Sequence, residues 1–172
     1  MTTSPTGELL VERMTDRERE TAQRVESVLP TLRANAERAD RDAKFQMDNL
    51  SAIRDAGLLG LIVPERYGGL GGTLRDLAAA TFAMGTACPS TALAYFFHCT
   101  SASRGLLALE AIDAGLYSQD EAPTVHAFAE KLLRKMGERR MWLTNFASES
   151  AKAKAQTLRF QPRRRGSKGV GA

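Results

Sequence analysis

Residues 56–72 read AGLLGLIVPERYGGLGG, and this stretch decides how the rest of the chain is arranged. Gly57 is suited to end a helix, because glycine readily adopts the left-handed conformation that follows a last helical turn. The apolar run 58–63 comes next, and a Pro-Glu-x-x-Gly-Gly turn then leads to Thr73, which can begin another helix. The stretch therefore predicts a tight connection between two helices.

Helical patterns precede this connection. Thr15 and Glu18 have the spacing of a capping box, in which hydroxyl and carboxylate satisfy free backbone N–H groups. The first helix that follows carries an apolar stripe on one face, made of Val25, Val28, Leu29, Leu32, Ala36 and Ala39. Pro30 lies within that stripe and predicts a kink or a break. Asp48 is the predicted N-cap of a second helix.

Three further helices are predicted beyond the connection. Thr73 starts the third, and Pro89 fits the first turn of a fourth that runs to about Ala108. The fourth is apolar on nearly all sides, which is typical of a central helix. Residues 122–139 form an amphipathic fifth helix, and residues 141–147 a short strand. The fold class is therefore an all-α, orthogonal bundle of about five helices with a short terminal strand.

Charge is distributed unevenly along the 172 residues. Residues 151–172 contain seven Lys or Arg and no Asp or Glu, whereas residues 1–150 contain 17 basic and 20 acidic side chains. The net charge of +4 therefore belongs to the tail. Proline and glycine without apolar periodicity predict a disordered basic tail at 151–172, and residues 1–13 are predicted to be a flexible N-terminus.

Several classes of protein are disfavoured by composition. No apolar run approaches the roughly 18 residues of a membrane-spanning helix, and residues 1–12 lack the pattern of a secretory signal. We therefore expect a cytoplasmic location. Cys88 and Cys99 lack C-x-x-C spacing and are expected to be reduced thiols. No His/Cys cluster or H-x-x-x-H pattern is present in the sequence, which argues against a metal enzyme.

Two motifs have both a functional and a structural interpretation. Gly68, Gly69, Gly71 and Gly72 precede a helix, where backbone N–H groups can bind phosphate. Their spacing fits neither G-x-G-x-x-G nor a P-loop, so a turn explains them better. His98 lies within the apolar fourth helix and is more often hydrogen-bonded core than catalyst in such a place.

The connection at residues 56–72 and the segment at residues 141–150 together resemble the N-terminal region of the acyl-CoA dehydrogenase flavoproteins, whose first domain is helical. The likeness is strongest over residues 45–103 and 125–150. It implies a domain at 14–140 and, at 141–150, the start of a flavin-binding β domain. It further implies α,β-dehydrogenation of an acyl-CoA substrate in fatty acid metabolism, with FAD as cofactor and a homo-oligomeric intact enzyme.

The resemblance also implies roles for individual residues. Ala92, Phe96 and Cys99 share one side of the fourth helix and match the helix that lines the acyl-chain slot, although core packing explains them too. A shift of one position would put Tyr95 in the slot. Leu143 and Thr144 match positions that contact the flavin ring. Ser150 matches a serine near the pantetheine arm of the thioester.

The chain departs from the family pattern near its end. Asn145, Phe146 and Glu149 replace the glutamate, proline and glycine of the family motif. No residue is assigned as the catalytic base, and we expect the isolated chain to be a truncated, inactive fragment, with a frame change or truncation near Ala151. Two alternatives stay open. One is a non-enzymatic helical module whose basic tail contacts anionic partners, nucleic acid being disfavoured; the other is a fragment of a flavin monooxygenase on the same fold.

Overall fold

The computed structural model of the protein describes residues 14–138 and 140–143. Within them the chain forms five α-helices and two short 3-10 turns, and no strand occurs in these ranges. The predicted all-α bundle is thereby confirmed. The elements are α1 (Asp16–Asp42), α2 (Met47–Asp55), the turns Leu58–Gly60 and Glu65–Tyr67, α3 (Leu74–Ala87), α4 (Pro89–Asp113) and α5 (Ala122–Gly137).

Helix α4 lies at the centre of the packing, as its apolar composition predicts. It packs against α3 on one side and α5 on the other, while α1 packs against α2 and α3. Burial of large apolar side chains from every helix is the main favourable contribution to folding. The core contains Leu32, Ile53, Met84, Tyr95 and Leu133, each of them fully buried.

Capping boxes begin both α1 and α3. The Thr15 hydroxyl accepts the Glu18 N–H, and the Glu18 carboxylate accepts the Thr15 N–H at 2.7 Å. Thr73 and Asp76 repeat the arrangement. These bonds from Thr15 hold the pKa of Glu18 below its usual range. Basic side chains also pair across the two helices, Arg17 with Asp76 at 3.9 Å and Arg75 with Glu18 at 3.6 Å. The paired boxes therefore align the two helix starts.

Three sequence predictions about the helices differ from the structure. Gln46, two positions before the predicted Asp48, is the N-cap of α2. Helix α1 continues through Pro30 without a break. Pro30 lies on the exposed face, where water can satisfy the backbone carbonyl that proline leaves without a donor. Helix α4 ends at Asp113 rather than near Ala108.

The region after α5 also differs from the prediction. Residues 141–143 adopt no regular secondary structure, so the predicted strand does not begin there. The rest of that strand, residues 144–147, and the basic tail at 151–172 lie outside the described residues, as does the N-terminal segment 1–13. The predictions for those segments stay predictions.

The glycine-rich connection folds back on itself through backbone hydrogen bonds. Leu70 N–H donates to the Gly60 carbonyl at 2.9 Å, Gly71 N–H to Val63 at 2.9 Å, and Gly72 N–H to Leu61 at 2.7 Å. Gly57, Gly68 and Gly71 have φ between +64° and +78°, a conformation that glycine adopts without steric cost. The connection is thus an ordered structural element.

The end of α5 packs directly against this connection. A Cβ on Gly137 would lie 2.1 Å from the Tyr67 carbonyl oxygen and 2.9 Å from the Gly69 nitrogen. A Cβ on Gly69 would lie 2.0 Å from the Val63 carbonyl oxygen. Backbone therefore meets backbone at these positions, and α5 is fixed against the connection only because side chains are absent there.

We expect Gly137→Ala to destabilise the protein by about 3 kcal/mol, because its methyl group would overlap backbone atoms that cannot move independently. Gly85→Ala is the matched control, since a Cβ at that helical position would meet only the Ala92 Cβ at 3.9 Å. It should stabilise by about 0.5–1 kcal/mol through helix propensity. Urea unfolding followed by circular dichroism measures both changes. Equal stability of the two variants would contradict the close backbone contact.

Candidate functional site

A cluster around Trp142 joins the end of the described chain to the helical core. We call it the Trp142 cluster, and it consists of Leu50, Tyr95, His98, Trp142 and Leu143. The Trp142 indole N–H donates to the Leu50 carbonyl at 3.1 Å. Its ring lies tilted against His98 with centroids 4.9 Å apart, and edge-on to Tyr95 at 6.4 Å. Segment 140–143 is thereby held between α2 and α4.

His98 connects three parts of the chain. Its Nε2 lies 2.9 Å from the Leu59 carbonyl oxygen, and its Nδ1 accepts the Leu143 N–H at 3.0 Å. A carbonyl at Nε2 and an N–H at Nδ1 together require a neutral imidazole whose proton is on Nε2. Complete burial favours the same neutral form and lowers the pKa of His98. The prediction of a hydrogen-bonded core histidine is confirmed.

Tyr95 makes the companion contact one turn earlier on α4. Its hydroxyl donates to the Leu58 carbonyl at 3.0 Å, and the side chain is fully buried. Burial raises the pKa of Tyr95 well above its usual value, so the phenol stays protonated and keeps this bond. The carbonyls of Leu58 and Leu59 thus each accept from an α4 side chain. The glycine-rich connection and the Trp142 cluster are therefore parts of one hydrogen-bonded unit.

The three residues predicted to line an acyl-chain slot have different surroundings. Ala92 and Cys99 are inside the core, with 3% and 0% of their surface exposed, while Phe96 is 39% exposed. Phe96 lies against Phe97, with ring centroids 6.0 Å apart. Burial raises the pKa of Cys99 to about 12, as expected for a thiol without access to water. The slot assignment stays a prediction, and Phe96 is its only accessible member.

The residues predicted to contact flavin lie at the end of the described chain. Leu143 is half-buried, and its N–H is already donated to His98. It can therefore offer a flavin ring its carbonyl group or side chain, but not its N–H. Thr144 and Ser150 lie outside the described residues. Of the residues predicted to contact flavin, the structure therefore describes only Leu143, which lies at the edge that segment 140–143 forms beside α4.

The glycine-rich connection does not provide a phosphate site. The N–H groups of residues 68–72 donate to carbonyl oxygens within the connection, and the Thr73 N–H donates to the Asp76 carboxylate at 2.6 Å. These N–H groups are therefore not available to an anion. The buried, negatively charged carboxylate of Asp76 at the start of α3 would also repel one. The interpretation of the glycines as a turn is confirmed.

A groove of about 430 Å³ lies elsewhere, between α1 and α3. Its floor contains small apolar residues such as Ala22, Ala79 and Ala83, and Glu18 and Arg75 are among its charged lining residues. Of the predicted site residues that the structure describes, none lines it. Among the described residues, no group of His, Cys, Asp or Glu could hold a metal ion. The helices that the described residues form are also too short or too polar to cross a membrane.

Comparison with known proteins places these features in a family. The model of the acyl-CoA dehydrogenase N-terminal domain matches residues 15–110, which run from the cap of α1 to near the end of α4. The chain is 38% identical to the L-evernosamine nitrososynthase of a Micromonospora species, over 64% of this chain and 24% of that protein. It is 39% identical to the probable acyl-CoA dehydrogenase YngJ of Bacillus subtilis, over 36% of this chain and 16% of that protein.

The crystal structure of a nitrososynthase from Micromonospora carbonacea var. africana has a similar fold. The TM-score is 0.60 at 34% identity, and the match covers 73% of this chain and 30% of that one. The protein belongs to the acyl-CoA dehydrogenase family, and the members of this family are flavoenzymes. It spans about a quarter of the length of the relatives it matches.

Sequence reasoning missed the Trp142 cluster. His98 and Trp142 are 44 positions apart, and no local pattern relates them. The available signal was the single tryptophan of the chain, placed directly after an amphipathic helix. A tryptophan there is well suited to fix a returning segment, because its large ring packs against core residues while its N–H needs an acceptor.

The buried state of Cys99 predicts a particular response to alkali. The unfolded thiol ionises near pH 9, whereas the folded thiol stays protonated to about pH 12. The free energy of unfolding should therefore fall by about 1 kcal/mol between pH 9 and 10 on account of Cys99 alone. Cys99→Ala should remove that fall, as measured by urea unfolding at the two pH values.

Cys88 is a control whose pKa is shifted in the opposite direction. Burial works to raise its pKa, but hydrogen bonds with Ser90 and Thr91 outweigh burial and lower it. Its contribution to stability thus grows as the pH rises from the folded pKa toward the unfolded one and is fully present above the latter, so Cys88→Ala should not lessen the alkaline fall. If Cys99→Ala behaved like the unmodified protein, Cys99 would face water, as an open acyl-chain slot requires.

Proposed function

We propose that this chain forms the N-terminal helical domain of a flavin-dependent oxidoreductase that uses FAD. The observation that supports this most is the coincidence of the family match at 15–110 with helices α1 to α4. The likeness to the nitrososynthase structure, at 34% identity and a TM-score of 0.60, also supports it. The domain would contribute one wall of the flavin site and would carry the chain into the rest of that site.

The Trp142 cluster has a defined part in this proposal. It fixes the position and direction of segment 140–143, where the residues matched to flavin contacts begin. Phe96 and Phe97 are partly exposed on α4, and Tyr95 and His98 of the same helix hold Trp142 and Leu143. When bound, the flavin supplies a centre that accepts hydride or activates oxygen. The residues of this chain would orient it and shield one side from water.

Two reactions are candidates for the intact enzyme. The first is α,β-dehydrogenation of an acyl-CoA, which the family description and the likeness to the Bacillus protein support. The second is oxygen transfer by a flavin monooxygenase. A nitroso group is a nitrogen that has gained oxygen, and the nitrososynthase match extends over 112 residues against 61 for the dehydrogenase. The longer match at similar identity favours the second reaction.

Further properties of the intact enzyme follow from the same proposal. Homo-oligomers and a cytoplasmic location accord with the family resemblance and stay proposals. The chain by itself should show little or no turnover, since it spans about a quarter of its relatives. An activity test therefore has to supply the remaining parts of the enzyme.

Domain exchange tests the proposal. Residues 15–143 replace the matching segment of the Micromonospora nitrososynthase in one chimera, and that of the Bacillus protein in another. We expect at least one purified chimera to retain flavin, seen as visible absorbance, and to retain turnover of its host. Retention in the nitrososynthase host alone would favour oxygen transfer, and in the dehydrogenase host alone, dehydrogenation.

Two controls make the result interpretable. Each host without its N-terminal segment should bind no flavin, which shows that the segment is required. A chimera carrying Gly137→Ala should lose flavin together with stability. Two chimeras that are folded by circular dichroism, yet purify without flavin while both hosts retain it, would refute the proposed function.

A further inference from the structure

We infer that His98 is a positioning residue: in its neutral form it holds segment 140–143 against α4, and protonation of its Nδ1 releases that segment. The inference deepens the proposed function, because the residues matched to flavin contacts begin at Leu143. The release itself concerns only residues of this chain. It can therefore be tested without a cofactor.

The geometry gives each face of the imidazole a different partner. Nε2 bonds to the Leu59 carbonyl at 2.9 Å, in the glycine-rich connection. Nδ1 bonds to the Leu143 N–H at 3.0 Å, and the ring contacts the Trp142 indole at 4.9 Å between centroids. One ring edge thus belongs to the rigid core, and the other holds the segment that leaves it.

A second proton on the ring changes only one of these bonds. Protonated Nδ1 would direct its N–H at the Leu143 N–H, so that two donors would face each other across 3.0 Å. The bond from Nε2 to Leu59 would survive, because that nitrogen is a donor in both states. Protonation therefore acts on segment 140–143 and leaves the attachment to the core intact.

The surroundings of His98 offer its charged form little compensation. On its own helix, burial keeps Tyr95 and Cys99 protonated and neutral. The turn Leu58–Gly60 has no titratable side chain, and Arg140 is the only charged residue of segment 140–143. Burial consequently lowers the pKa of His98.

Charged groups on the helices packed nearby pair with one another instead. On α5, Arg134 pairs with Glu130 and Glu138. Arg17 pairs with Asp76 of α3. The charged side chains of α2, which contacts Trp142 through Leu50, are exposed, and they are Asp48, Arg54 and Asp55.

The sign of the pH dependence follows from the lowered pKa. The unfolded histidine ionises near pH 6.5, and the folded one only at lower pH. Neutral His98 therefore contributes its full stabilisation above pH 6.5, and the contribution is lost as the pH falls through the folded-state pKa. Release of segment 140–143 should accompany that loss.

Trp142 reports the release directly, because it is the single tryptophan of the chain. While docked, it is partly buried and bonded to Leu50. After release its indole would be surrounded by water, and its emission maximum would move to longer wavelength. The emission maximum is the better readout, since a protonated imidazole can change the intensity without any movement.

Two substitutions test the roles of the two ring nitrogens separately. His98→Asn can place its Oδ1 where Nδ1 now accepts from Leu143, and it cannot titrate. His98→Gln can reach Leu59 with its amide N–H but leaves the Leu143 N–H without its acceptor. His126→Gln is the matched control, because His126 is exposed and near Glu130 at 4.0 Å.

The experiment is a titration of Trp142 emission from pH 7.5 to pH 5, with helix content followed by circular dichroism. We expect the unmodified protein and His126→Gln to shift to longer wavelength below pH 6.5 while helix content is kept. His98→Asn should show no shift at any pH. His98→Gln should already emit at the longer wavelength at pH 7.5.

Other outcomes overturn the inference. These are an unchanged emission maximum in the unmodified protein, a shift in His98→Asn that matches it, or loss of helix content together with the shift. The same variants in a flavin-binding chimera separate this inference from the proposed function. If flavin binding is weakened by His98→Gln and kept by His98→Asn, the link to the cofactor holds. If the chimeras bind no flavin but the emission shift occurs, the positioning role stands and the proposed function fails.

Discussion

Hydrogen bonds to the carbonyl groups of Leu58 and Leu59 determine how the other elements of the domain are placed. Tyr95 donates to the first at 3.0 Å, and His98 is bonded to the second at 2.9 Å. Both donors are fully buried side chains of the central helix, where an unpaired carbonyl would cost about 1–3 kcal/mol. These two bonds fix the glycine-rich connection to α4, and through His98 and Trp142 they also fix the segment that continues beyond α5.

Close backbone contact completes the same unit. Gly60, Gly69 and Gly137 allow the connection and the end of α5 to meet at distances that a side chain would prevent. The polypeptide thus leaves α5 beside the connection and crosses α4 at His98 in a single defined direction. In the proposed function this direction matters, because it would lead segment 140–143 toward the flavin.

Local chemistry explains which features could be predicted from the sequence. The capping box at Thr15, the helix start at Thr73, the turn at the glycines and the buried His98 depend on neighbouring residues or on composition, and each was predictable. The predicted break at Pro30 does not occur, because the effect of a proline depends on which face of the helix meets solvent. The hydrogen bonds of His98 to Leu59 and Leu143 join residues about 40 positions apart, and only the folded chain brings them together. The same limit applies to Ala92 and Cys99, whose depth in the core follows from the packing of α4.

The tautomer of His98 decides whether its imidazole holds segment 140–143, and it can be measured. Long-range ¹H–¹⁵N NMR of the imidazole nitrogens distinguishes a protonated Nε2 from a protonated Nδ1. We expect that, at neutral pH, Nε2 carries the proton and Nδ1 shows the shift of an unprotonated nitrogen. A proton on Nδ1, or averaged shifts typical of an imidazole in water, would show that His98 does not hold Leu143, and the proposed path of the chain out of the domain would be wrong.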